Sequence, residues 1–158
     1  MYKRAIIPLD GSIVAEGIIP FVLEVAGPLD MDIVLLRVLV PIPPSVIEGS
    51  PYVKIEDPEK RRLEAEAYLM PIAVDLRAKG VRVTTMVRRG EPTAEILAGA
   101  RAADADLIAM TTHGRSGLGR LLFGSVAEAV LRQADIPVFL MRQSEAQVAA
   151  RAAVEALR

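Results

Sequence analysis

Residues 112–125 read THGRSGLGRLLFGS. The stretch holds Gly114, Gly117, Gly119 and Gly124, the cations Arg115 and Arg120, the hydroxyls of Ser116 and Ser125, and the single histidine of the chain, His113. Glycines open backbone conformations closed to other residues and let amide N–H groups approach a ligand. The stretch runs into GSVAEAV, a helix start, whose unpaired N–H groups and positive dipole end suit an anion. The arginines add charge-assisted contacts and the serines hydrogen bonds. Together these residue types describe a phosphate cradle. They also admit a ligand-free account, because Ser125 and Glu128 form S-x-x-E, the pattern of a capping box that closes a helix start by itself. Neither G-x-x-x-x-G-K-[ST] nor G-x-G-x-x-G is present, so the pattern points to phosphate and leaves the rest of the ligand open.

Two further residues invite chemistry. Asp10 follows the first apolar run, where a carboxylate can accept hydrogen bonds from a ribose hydroxyl or help hold a metal on phosphates; it can equally be a turn residue or helix cap. His113 is unique, yet a general base wants an orienting carboxylate that adjacency does not reveal, and a histidine that fixes the loop by hydrogen bonding satisfies the same position. No catalytic residue is assigned. With no cysteine and one histidine, a metal site made from the protein's own ligands is not expected. A formal net charge of -1 supplies no general attraction for nucleic acid or an acidic membrane surface, so any anion site must be local.

The elements that would position these residues follow from hydrophobic periodicity. At 158 residues, one domain is expected, with an aliphatic core because aromatic residues are only 4%. Strands are predicted over residues 3 to 9, 32 to 40, 81 to 87, 105 to 112 and 136 to 142. The run DIVLLRVLV is nearly unbroken, as in a strand covered on both faces, with Arg37 directed to a strand end or helix terminus. Val14, Ile18, Phe21, Val22 and Val25 mark a first helix that Gly17 and Pro20 weaken or kink. A second helix runs from about Pro58 to Lys79, its apolar stripe made by Leu63, Ala67, Met70, Val74 and Leu76, bent at Pro71 and stopped at Gly80. Helices with Pro92 near the first turn, over SVAEAVLRQAD, and over the alanine-rich end complete a βαβαβαβαβα order. Such alternation implies a doubly wound parallel sheet with helices on both faces. Residues 41–58 carry five of the 11 prolines, a loop that can serve as a lid and equally as a disordered connection. The opening apolar run is too short for a signal peptide or membrane span, which makes the cytoplasm the expected location.

The segments YKRAIIPLDGS, GEPTAEIL and DLIAMTTHGRSGLGRLLFGSVAEAVLRQADIPVFLMR resemble the universal stress protein family over residues 1–142, leaving 143–158 as a C-terminal helical extension. Nucleotide-binding members carry G-x-x-G, nine residues, then G-[ST]. Gly114, Gly124 and Ser125 keep that spacing, and Thr111 stands at the first glycine position. The resemblance implies a Rossmann-like five-stranded sheet of order 3-2-1-4-5 and a homodimer formed through the last strand, Ile136 to Arg142. It implies that Asp10 faces a ribose, that Pro8, Leu9, Asp10 and Val40 frame an adenine, and that Gly114, Arg115, Ser116, Gly124, Ser125 and Val126 hold phosphates, with Met110 and Thr111 at the strand end. The implied ligand is ATP, or AMP or another adenine nucleotide, with Mg2+ carried on the phosphates. The implied role is a nucleotide-dependent regulator or sensor in the stress response; a slow ATPase or nucleotidyl-transferring enzyme and a dimeric module without nucleotide are the alternatives.

Overall fold

The computed structural model describes residues 1–41, 57–113 and 124–156. Five parallel strands, β1 (Arg4–Pro8), β2 (Asp32–Leu39), β3 (Val83–Arg89), β4 (Leu107–His113) and β5 (Val138–Gln143), form one sheet in the order β3-β2-β1-β4-β5. Around it lie α1 (Ile13–Glu16), α2 (Ile19–Leu29), α3 (Pro58–Ala78), α4 (Pro92–Ala102), α5 (Ser125–Gln133) and α6 (Glu145–Glu155). The expected sheet order and winding are those observed.

Alternate residues of each strand feed two cores, as the two-residue period of a strand requires. Ala5, Ile7, Ile33 and Leu35 pack with Ile18, Val22, Leu69, Ala73 and Leu76 from α2, α3 and the link before α2. Ile6, Val34, Leu36 and Ile108 pack on the opposite face with Ile96, Leu97, Ala100 and Val130 from α4 and α5. Strand β1 is thus covered on both faces and both edges, its register running from Arg4 opposite Asp32 to Pro8 opposite Leu36.

Three expectations are adjusted. The first helix is broken outright at Gly17 and Ile18, where Gly17 closes α1 and Pro20 sits in the opening turn of α2. Strand β3 begins at Val83 rather than residue 81, because α3 ends through Gly80 at φ 84° and the Val81 amide donates back to the Leu76 carbonyl at 3.1 Å. Of the apolar stripe predicted for α3, only Leu76 faces the core. Leu63, Met70 and Val74 are 52%, 49% and 55% exposed, and the buried face is Ala65, Leu69, Ala73 and Leu76. Small Ala65 and Ala73 let the helix lie close on the sheet, and Leu69 and Leu76 fill the remaining volume.

The amino ends of the strands are tied by charge. Arg82 Nε donates to Asp32 Oδ1 at 2.5 Å and Arg4 Nη2 to Asp32 Oδ2 at 3.0 Å, while the Lys3 and Arg4 amides donate to the Asp106 carboxylate at 2.8 and 3.0 Å. Hydrogen bonds from Arg82 and then Arg4 hold the Asp32 carboxyl below its ordinary value of 3.8. A group with a lowered folded value contributes stability that is present above 3.8 and is lost as pH falls through the lowered value. Asp32→Asn should therefore flatten the acid limb of the stability curve below pH 3.8, measured by urea unfolding across a pH series, and an unchanged acid limb would show that this pairing contributes nothing.

Candidate functional site

The chain leaving β1 passes to α1 on one face of the sheet, and the chain arriving from β4 enters α5 on the other. Between them, at the carboxyl ends of the strands, lies a cleft of about 340 Å³. Ligand sites in open α/β sheets form where neighbouring strands send their connections to opposite faces. The cleft walls include Leu9, Leu36, Val38, Val40, Ile96 and Met110, so most of its surface is aliphatic.

Of the residues expected to bind a ligand, Pro8, Leu9, Asp10, Val40, Met110, Thr111, Gly124, Ser125 and Val126 all line this one cleft. Gly114, Arg115 and Ser116, and the proline-rich stretch 42–56 expected as a lid, lie outside the described residues. His113 ends β4 in register with Gln143.

The start of α5 differs from the capping box read in S-x-x-E. Gly124, not Ser125, holds the N-cap position, at φ −54° and ψ 142°, and among the described residues no side chain caps the helix. The Glu128 amide donates to the Gly124 carbonyl at 2.9 Å, and the Glu128 side chain accepts from Arg132 Nη2 at 2.6 Å instead of reaching back. Ser125 is the first helical residue and is exposed. The amides of Ser125, Val126 and Ala127 thus precede the first intrahelical bond, at the positive end of the helix dipole and on the wall of the cleft.

Two threonines fix this arrangement. Thr112, only 3% exposed, accepts at Oγ1 from the Gly124 amide at 3.0 Å and so binds the helix start to the end of β4. Thr111, at the position where nucleotide-binding relatives of the expected kind carry glycine, donates from Oγ1 to the Val14 carbonyl at 2.9 Å. Its hydroxyl is thus engaged with α1.

Across the cleft, Asp10 Oδ1 accepts from the Ser12 amide at 2.9 Å, and Ser12 Oγ caps α1 by accepting from the Ala15 amide at 3.1 Å. Gly11 between them sits at φ 89°, in the left-handed region that favours glycine. Arg61 Nη2 donates to the Val40 carbonyl at 3.0 Å. Arg37 also lines the cleft, which sequence reasoning missed, although a charge inside an otherwise aliphatic strand was the available signal. Nearby, Tyr68 donates its hydroxyl to Glu16 Oε1 at 2.7 Å, and burial, reinforced by that carboxylate, pushes the phenol above its ordinary value. Among the described residues, no group of three or more His, Asp or Glu side chains is placed to hold a metal ion.

The Universal stress protein family matches residues 1–142. The chain belongs to that family. Universal stress protein MJ0531 of Methanocaldococcus jannaschii is 33% identical over 150 residues, covering 90% of this chain and 84% of the relative. The solved structure of MJ0577, from the same organism, superposes with a TM-score of 0.74 at 28% identity, covering 92% of this chain and 99% of that one. The same fold recurs at lower identity in a universal stress protein in complex with cAMP (TM-score 0.64, 18% identity, 90% of this chain and 98% of that one). It recurs too in the Archaeoglobus fulgidus protein in complex with dAMP (TM-score 0.61, 23% identity, 88% and 97%).

In this universal stress protein the Thr112 to Gly124 bond is the link that seats the α5 start in the cleft. Thr112→Val keeps the side-chain shape and strands the Gly124 amide, so it should destabilise the fold by about 1–3 kcal/mol. Denaturant unfolding measures this directly, and a loss below a few tenths would remove the bond from the account.

Proposed function

We propose that this universal stress protein binds ATP, accompanied by Mg2+, in the cleft at the carboxyl ends of β1 and β4, and acts in the cytoplasm as a nucleotide-dependent regulator or sensor. The observation that carries this reading is the start of α5, with Gly124 at its N-cap and no side chain among the described residues capping it, on an aliphatic cleft whose far side holds Asp10. Backbone amides at a helix start favour a phosphate chain. The aliphatic walls suit an adenine ring, and Asp10 is the carboxylate on the cleft wall that a ribose would face. The cleft volume of about 340 Å³ falls within the range usual for small-molecule sites, about 300–1,000 Å³. Relatives of the same fold in complex with cAMP and dAMP support an adenine nucleotide as the class.

The donor set fits phosphates better than a protein-held metal. Magnesium would arrive on the phosphates and neutralise part of their charge, with Asp10 the one carboxylate lining the cleft among the described residues. The chain's own contribution is to orient the nucleotide and exclude water from its base. Its regulatory effect would come from differential affinity, the nucleotide favouring one conformation of the chain over another. The homodimer belongs to the same proposal. Strand β5 pairs with β4 on one side and forms the sheet edge on the other, and Phe139 on it is 45% exposed, which makes Ile136 to Arg142 a surface able to continue the sheet into a second copy.

Gly124→Val tests the site. A Cβ at Gly124 would meet none of the described residues within 4 Å, and the backbone there is open to any residue, so the substitution keeps the fold at the cost of a poorer N-cap, about 1 kcal/mol, and places a branched side chain before the amides. Calorimetric titration with ATP and Mg2+ should show binding by the wild type and its loss in Gly124→Val, with cooperative thermal melting retained and mass in solution unchanged. Equal affinity in the two proteins would sink the site.

A further inference from the structure

Helix α6 lies beyond residue 142, where the family match ends, and follows β5 with Ser144 alone between them. Its start is specified locally: Ser144 Oγ accepts from the Gln147 amide at 3.3 Å, and Gln147 Oε1 accepts from the Ser144 amide at 2.8 Å, a reciprocal capping pair. Ala146, Ala149, Ala150, Ala153 and Val154 recur at i, i+3, i+4, i+7 and i+8, which puts them on one helix face, and all five are exposed. A helix of 11 residues is marginal in water unless its apolar face packs on another surface. This one borders α1, and at its root Gln143 is buried so close to Gly17 that a Cβ there would collide with the Gln143 amide. It therefore leaves β5 on the sheet face that carries α1 and α2. The same face holds an apolar groove of about 310 Å³ beside α2, over the amino halves of β4 and β5. Its floor is Ala5, Ala26 and Ala109, its rim is Tyr2, Val25 and Phe139, each nearly half exposed, and none of its described lining residues is charged.

We propose that in the dimer α6 of each copy seats its alanine and valine face in the groove of the other, so that the C-terminal helices are exchanged between the two chains. The inference rests on the pairing through β5 proposed above and is independent of the nucleotide. When two β5 edges pair antiparallel about a two-fold axis, the carboxyl end of each strand lies beside the amino end of the other. That axis stands perpendicular to the sheet, so both copies present the same face on the same side. The root of α6 in one copy then stands beside the groove of the other. A helix of this length runs about 16 Å, enough to cross two strands about 4.8 Å apart and reach the second copy's α2. Small side chains on the helix allow close approach to the alanine floor, while the rim side chains pack along its flanks. The exchange removes from water the apolar surface that each chain alone exposes on both elements, and it adds side-chain burial to a pairing that otherwise depends on one strand of six residues.

The chain contains no cysteine, so introduced thiols report without background. In the full chain, each of Ala146→Cys, Ala150→Cys and Val154→Cys is combined with each of Tyr2→Cys, Val25→Cys and Phe139→Cys, all at exposed positions. After oxidation, mass is read under denaturing conditions and the linked peptides are identified by mass spectrometry. At least one combination should join an α6 peptide to a groove peptide in a species of twice the chain mass, because a disulfide forms only where the two Cβ atoms come within about 4.5 Å. Ala150→Glu, which places a charge on the seated face, should raise the dimer dissociation constant by about tenfold or more in sedimentation. A disulfide within one chain, no link between α6 and the groove in a protein that stays dimeric, or an unchanged dissociation constant in Ala150→Glu overturns the exchange and leaves the β5 pairing standing. A wild type that is monomeric in solution overturns both, whatever it binds in the cleft.

Discussion

Strand β1 is flanked by β2 and β4, and the connections on the two sides leave for opposite faces of the sheet. Every feature of the cleft follows from that divergence. Helices α1 and α2 are drawn to one core by Ala15, Ile18 and Val22, and α5 to the other by Ala127 and Val130, so neither can close the gap above the carboxyl ends of β1 and β4. The buried strand residues Ile6, Ile7, Ile108 and Ala109 cannot be rearranged to fill it without losing their places in the two cores. What remains is an opening whose depth is set by where the strands stop. Pro8, which lacks an N–H, closes β1, and Thr111, Thr112 and His113 extend β4.

The two ends of the sheet treat their polar groups differently. At the amino ends, Asp32 takes hydrogen bonds from both Arg4 and Arg82, Asp30 also receives Arg82, and Asp106 receives two amides of the opening chain. Acceptors and donors there are closely matched. At the carboxyl ends, among the described residues, α5 begins with no side-chain cap, and Arg37 makes one long bond. A glycine at the N-cap forgoes only a few tenths of a kcal/mol relative to a side-chain oxygen. Among the described residues, then, the two ends of the sheet differ in how fully side chains satisfy their polar groups. The Thr112 to Gly124 bond sharpens the contrast, because it takes up the amide just before the helix and leaves the next three ahead of the first helical bond.

The sheet order, the alternation of elements and the location of the cleft were legible because they depend on long periodic runs and on the spacing of Gly114, Gly124 and Ser125. The interior face of α3 was not. Leu63, Ala67, Met70 and Val74 repeat at helical spacing as cleanly as Ala65, Leu69, Ala73 and Leu76, and only the closeness of the sheet, which favours alanine, decides between them. Of the two readings left open for Ser125, the capping box fails for a related reason: it is read from residue types, but the position of the cap depends on where the incoming backbone turns, and Thr112, 13 residues earlier, holds Gly124 at that turn. Contacts of this sequence separation leave no local pattern to read.

Arg37 illustrates what a single discordant residue carries. Its neighbours in β2 obey the pattern of a strand buried on both faces, and an aliphatic side chain at this position would join Leu35 in the core. The charge is retained where Tyr68 offers a ring face and Glu16 fixes that ring, so three elements have been adapted to a residue that the core does not need. Such accommodation is not explained by packing, since burying a guanidinium with one weak acceptor is unfavourable relative to a hydrocarbon. The position of the group resolves the conflict. It lies at the carboxyl end of the strand, beside the turn that carries Asp10 and on the wall of the cleft, where its energetic disadvantage to the core is small.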